Sequence, residues 1–193
     1  MESRIKKSIK SSIENYTRVL QDDILQEQIQ QIVTKTIAAF KDDKKILLCG
    51  NGGSASDAQH IAAELSGRFY TDRPPLYAEA LHVNSSYMTA VANDYGYEYT
   101  YTRMVEAAGR KGDVFIGIST SGNSPNVVKA MQKAKEIEML AVGFTGKDGG
   151  NMKDVCDFIV CVPSVDIPRI QEAHILIGHI MCQLIEEEMF PNA

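Results

Sequence analysis

The chain has no tryptophan, few prolines and only four cysteines, Cys49, Cys156, Cys161 and Cys182. No two of these stand as a CxxC pair, which excludes a zinc ribbon or a dithiol redox motif. No apolar run approaches the ~20 residues of a transmembrane helix. None follows Lys6, Lys7 and Lys10 to make a signal peptide. An excess of basic charge is missing too. The net charge is −5, which argues against a nucleic-acid or membrane-surface partner. A cytoplasmic, reduced protein is expected. The Walker pattern GxxxxGK[ST] is absent, so a nucleoside triphosphate is not indicated. The loop GNGGS is not GxGxxG, and no acidic residue follows a second strand in the dinucleotide arrangement. No nucleotide cofactor is therefore expected.

The 193 residues suit one domain spanning 1–193, large enough to bury a core without staples. Residues 3 to 41 read as helix. Ile5, Ile9, Ile13, Tyr16 and Leu20 form one apolar stripe, and Ile29, Ile32, Val33, Ile37 and Phe40 a second. QDD at 21–23 breaks the pattern between them. This 1–41 segment is expected to pack on its own domain and to contribute oligomer contacts, because a long first helix needs a place for its stripe.

From residue 45 the texture changes. Short β-rich runs (KILLC, LYAEALH, DVFIGIS, MLAVGFT, DFIVCVP) alternate with helical patterns near 55–66, 85–93, 127–136 and 168–189. Alternation at this spacing implies an α/β fold, a parallel sheet sandwiched by helices. Ligands in such sheets sit beyond the carboxyl ends of the strands. Two segments echo each other there. KILLCGNGGSASDAQ and VFIGISTSGNSPNVV are each an apolar strand, a Ser/Gly loop and a helix start.

In the second loop, Ser124 before Pro125 marks a helix start. Ser119, Thr120 and Ser121 add hydroxyls, and Gly122 lets the backbone turn. Hydroxyls, free N–H groups and a helix N-terminus together favour an anion. In the first loop, Gly52 and Gly53 give backbone freedom beside Ser54. The pair of loops suits a sugar phosphate.

The helix leaving the first loop carries His60 and Glu64 four residues apart, hence on one face. On the last helix, Gln171 and His179 are eight apart, about 80° around the axis, and can reach one pocket. His174 lies about 140° from His179 and is expected to face elsewhere, at the surface or an interface. A carboxylate and an imidazole beside a phosphate suit proton transfer next to a carbonyl, the equipment of an aldose–ketose isomerase working through an enediol. His60, Glu64, Gln171 and His179 also offer a metal nitrogen and oxygen donors, with zinc plausible.

Together CGNGGSASDAQHIAAELSGR, AVANDYGYE, GISTSGNSPNVVKA, FTGKDGG and PRIQEAHILIGHI resemble the phosphoheptose isomerase branch of the sugar isomerase (SIS) family. The resemblance covers nearly the whole chain. It implies a flavodoxin-like SIS fold, a homotetramer with active sites between subunits, and a sugar-phosphate substrate. The implied reaction interconverts sedoheptulose 7-phosphate and D-glycero-D-manno-heptose 7-phosphate, the first step towards nucleotide-activated heptoses for lipopolysaccharide, capsule or other bacterial surface glycans. Carried over by position, Asn51, Gly52, Gly53, Ser54, Asn93 and Asp94 line the substrate, with Gln171 beside them. Ser119, Thr120, Ser121 and Ser124 hold the phosphate. Glu64 and His179 are the acid–base pair, and His60, Glu64, Gln171 and His179 the zinc positions. Arg68 is either a surface residue or reaches a neighbouring subunit's substrate. The alternative is a non-catalytic SIS adaptor of the DiaA type, which binds the replication initiator DnaA. An adaptor has no need of the His60, Glu64, Gln171, His179 set.

Overall fold

A computed structural model describes residues 2–192. Among them are seven α-helices and five strands. Helices α1 (Glu2–Leu20) and α2 (Asp23–Lys41) precede the sheet. The break between them is held from both sides. Asp22 caps α2 by accepting from the Leu25 N–H at 3.0 Å, and Gln26 Nε2 donates to the Leu20 carbonyl at 2.7 Å.

Strands β1 (Ile46–Gly50), β2 (Ala78–Ala80), β3 (Val114–Ile118), β4 (Leu140–Thr145) and β5 (Phe158–Cys161) are all parallel, in the order 2-1-3-4-5. This is the flavodoxin-like doubly wound order, whose switch point lies between β1 and β3. Strands β1 and β3 are buried along their whole length, as a sheet covered on both faces requires. Their side chains divide by parity. Ile46, Leu48, Ile116 and Phe144 join the core under α2, α3 (Gly53–Ser66) and α7 (Ile167–Met189). Leu47, Cys49, Phe115 and Ala141 join the opposite core under α5 (Thr100–Ala108) and α6 (Pro125–Glu136). Helix α4 (Ser85–Tyr95) follows β2.

The two N-terminal stripes have different fates. Ile29, Ile32, Val33, Ile37 and Phe40 on α2 are buried. On α1, Ile5, Ile9 and Ile13 are each more than half exposed and Leu20 is 74% exposed. Helix α5, with the 3₁₀ turn Tyr97–Tyr99 before it, has no counterpart in the sequence reading. Its Tyr- and Thr-rich start leans towards strand by propensity. The helical signal was the spacing of Tyr101, Met104, Val105 and Ala108, which turn one face to the core. His174 is also a correction. It is fully buried, its Nε2–H donating to the Thr145 carbonyl at 3.0 Å, rather than lying at the surface. No helix among the described residues is long and apolar enough to cross a membrane.

Candidate active site

Gly50 pairs with Ile118 in the β1–β3 register. The loops that follow these strands therefore start level, side by side, across the switch point. Asn51 and Asn126 join them. Each carboxamide donates to the other's oxygen at 2.9 Å. Tyr97 Oη donates to Asn51 Oδ1 at 3.1 Å, and Tyr101 Oη donates to the Gly50 carbonyl. The unpredicted segment before and within α5 thus holds the end of β1 from outside. Asn126, Tyr97 and Tyr101 escaped the sequence reading because they carry no chemistry of their own.

The second loop is shaped by its own hydroxyls. Ser119 is buried, and its Oγ lies 2.9 Å from Ser124 Oγ and 3.5 Å from Ser121 Oγ. Ser124 occupies the N-cap of α6, as expected, but its hydroxyl makes no cap bond. It faces Ser119 across the loop instead. Gly122 has φ +66, and a Cβ there would meet the Gly149 carbonyl at 2.1 Å, so no side chain fits. Thr120, Ser121, Lys147, Asp148 and Ser164 line an open cleft of about 270 Å³ beside this loop. Its walls offer the Thr120, Ser121 and Ser164 hydroxyls with one ammonium, Lys147, and one carboxylate, Asp148.

Gly52 caps α3, and Ser54 is buried in its first turn. Gly53 opens the helix against α7. A Cβ on Gly53 would lie 2.5 Å from Gln171 Nε2, so the carboxamide rests directly on this backbone. Among the described residues Gln171 makes no side-chain hydrogen bond, and its amide is free to meet a ligand. Asn93 and Asp94 are exposed on the last turn of α4, with Asn93 Nδ2 donating to Asp94 Oδ1 at 2.8 Å. Arg68 is exposed just beyond α3.

The helical spacings bring three donors together. His60 Nε2 lies 3.0 Å from Glu64 Oε1 and 3.4 Å from His179 Nε2. One donor atom from each of the three residues falls within 4.8 Å of the other two. Zinc bonds of ~2.0–2.1 Å in a tetrahedron set neighbouring donors about 3.3–3.4 Å apart. The His60–His179 separation matches that edge, while the His60–Glu64 one is shorter, at hydrogen-bond length. Two imidazoles and one carboxylate form the donor set of open, catalytic zinc sites. Gln171 lies eight residues before His179 on α7, where its carboxamide meets the start of α3 at Gly53. Phe69 leans on His179, ring centroids 5.8 Å apart. Asp57, one turn before His60 on α3, is a further residue the sequence reading missed. Its Oδ2 is buried without a partner, and burial pushes its carboxyl up to about 6, against the opposing pull of His60.

The SIS domain family model matches residues 10–146. That span holds both loops and His60 with Glu64, but not α7. Full-length relatives cover the rest. A phosphoheptose isomerase of Clostridium acetobutylicum is 56% identical over 98% of this chain and 97% of its own length. One of Aneurinibacillus thermoaerophilus is 52% identical over 100% of this chain and 97% of its own. The structure of phosphoheptose isomerase GmhA from Neisseria gonorrhoeae superposes with a TM-score of 0.90 at 41% identity, covering 96% of this chain and 98% of that one. With that fold, those paired loops and an α7 matched along its length, the chain belongs to the phosphoheptose isomerases of the SIS domain family.

Proposed function

We propose that this chain interconverts sedoheptulose 7-phosphate and D-glycero-D-manno-heptose 7-phosphate. The observation that carries the reading is the convergence of His60, Glu64 and His179 on the helices that flank the paired loops. The 56% and 52% identities to phosphoheptose isomerases over nearly full length favour this reading over a DiaA-type adaptor.

The Ser119, Thr120, Ser121 and Ser124 hydroxyls and the start of α6 bind the phosphate. Asn51, the Gly52–Gly53–Ser54 turn, Asn93, Asp94 and Gln171 face the sugar. Glu64 takes the proton from C1 of the ketose, and the freed electron pair forms the C1–C2 double bond of an enediol as the C2 oxygen gains a proton. His179 moves protons between the two neighbouring oxygens. Glu64 then returns its proton to C2 while the C1 hydroxyl loses its own, leaving the aldose. His60, Glu64 and His179, with Gln171, would hold a zinc ion, which supplies Lewis acidity to neighbouring oxygens. A ligated carboxylate is a weaker base, so the two roles of Glu64 compete.

The exposed Ile5, Ile9, Ile13 and Leu20 stripe of α1 serves subunit contacts in a homotetramer with sites between subunits. The protein acts in the cytoplasm, and its product feeds nucleotide-activated heptoses for surface glycans. An NMR assay of the purified protein with sedoheptulose 7-phosphate, with and without chelator and added zinc, tests this. Appearance of the aldose is expected. No conversion under any metal condition by folded protein overturns the isomerase and turns attention to binding of DnaA.

A further inference from the structure

Arg73 and Glu186 form a buried ion pair, Nε to Oε2 at 3.0 Å, with side chains only 1% and 5% exposed. Neither took part in the site read from the sequence. Glu186 lies seven residues after His179 on α7, hence on nearly the same stripe of the helix. Its carboxylate accepts from the backbone N–H groups of Phe69, Tyr70 and Thr71 at 2.8–3.1 Å. Phe69 is the ring that leans on His179. The other end of the pair reaches α3. Arg73 Nη2 donates to the carbonyl of Glu64 itself at 2.8 Å, and Nη1 donates to those of Leu65 at 2.7 Å and Gly67 at 3.2 Å. Helix ends leave such carbonyls unpaired, and a cation there is favourable.

One buried contact therefore ties the last turn of α3, which carries Glu64, to the stripe of α7 that carries His179. The paired loops that grip the phosphate lie at the other end of α3 and on α6, outside this contact. We propose that Arg73 and Glu186 are a positioning pair, setting the Glu64 carboxylate against the His179 imidazole for the isomerisation. The inference rests on the isomerase reading above for its kinetic consequence. Misplacement of a reacting group by an ångström lowers rates by about 100-fold, so the effect belongs in kcat rather than in KM.

The test uses the full chain with Glu186→Gln, Arg73→Lys and the double variant Arg73→Met with Glu186→Met. Removing one partner strands a buried charge, whereas replacing both with apolar residues often restores stability. All are assayed well below their melting midpoints. The single variants are expected to lose about 10- to 100-fold in kcat, with KM for sedoheptulose 7-phosphate moving less than about threefold. The double variant is expected to regain part of the melting midpoint that the single variants lose, the Phe69, Tyr70 and Thr71 N–H groups staying without their acceptor, but not kcat. Zinc affinity, measured by chelator competition, is expected to weaken in the same variants. Recovery of kcat along with the melting midpoint, or folded single variants with kcat and zinc affinity near those of the parent, would reduce the pair to a structural strut. A parent that binds zinc but does not turn over the sugar overturns the isomerase reading, and zinc affinity alone then decides the positioning claim. A parent that does neither overturns both.

Discussion

The Nε2 atoms of His60 and His179 face each other at 3.4 Å, although 119 positions separate them in the chain. With Glu64 Oε1 3.0 Å from His60 Nε2, they are the donors proposed above to hold zinc. His60→Ala should weaken zinc binding by more than about 100-fold, since even loss of a residue supporting a ligand costs ~10- to 100-fold. Competition with a chromophoric chelator measures this directly. An unchanged affinity would place any bound metal elsewhere.

Glu64→Gln keeps the shape of the side chain and removes its basicity. Turnover should fall by ~10²- to 10⁴-fold, the usual contribution of a general base. KM should hardly change, because the proposed phosphate contacts belong to the other loop. Near-normal turnover would remove Glu64 from the role of base.

Ser119→Ala should do the opposite. The hydroxyl sits at the floor of the loop, within reach of both Ser121 and Ser124. Losing one hydrogen bond costs ~0.5–1.5 kcal/mol, so KM should rise about 2- to 10-fold with kcat nearly constant. Steady-state kinetics separates the two constants. An unmoved KM would point to another phosphate site.

His174 makes a prediction about stability rather than rate. Burial pulls its imidazole down to about 4 in the folded chain, against the opposing effect of its bond to the Thr145 carbonyl. The unfolded chain protonates near 6.5. As pH falls from ~6.5 to ~4 the unfolded state binds more protons, so folding stability drops through that window. Asp57 has the opposite sign. Its carboxyl is raised to about 6 when folded, so its unfavourable contribution fades as pH falls towards its unfolded value of ~3.9. His174→Gln cancels only the first effect. Between pH 7 and 4.5 the variant should lose about 2–3 kcal/mol less stability than the parent. Urea unfolding at both pH values and one fixed protein concentration reads the difference, and equal losses would refute the buried neutral histidine.

Strand–helix alternation was legible because each strand is a short, unbroken apolar run and most helices start at a cap or a glycine. His60 with Glu64 was legible because four residues on a helix is a fixed geometry. His174 was misplaced because helical angle gives a direction and not what packs there; Phe144 and the Thr145 carbonyl fill that direction. Helix α5 was missed because tyrosine and threonine lean towards strand, although Tyr101 and Val105 are four apart and both buried. Arg73 and Glu186 were invisible for a different reason. Their pairing spans 113 positions, and an arginine after a loop and a glutamate in an acidic run read as solvated surface.

The reciprocal contact between Asn51 and Asn126 also bears on how the protein ages. Asn51 precedes Gly52, and an asparagine followed by glycine is prone to slow loss of ammonia, one reason such residues count as thermolabile. Here the carboxamide is held by two bonds to Asn126 and one from Tyr97, which restrains the cyclisation that deamidation needs. Should the reaction occur, the new carboxylate would face Asn126 Oδ1 with no proton to offer and would bring a negative charge beside the start of α6, where the phosphate is proposed to bind. Chemical damage on storage would then register as lost substrate affinity before it registered as lost fold.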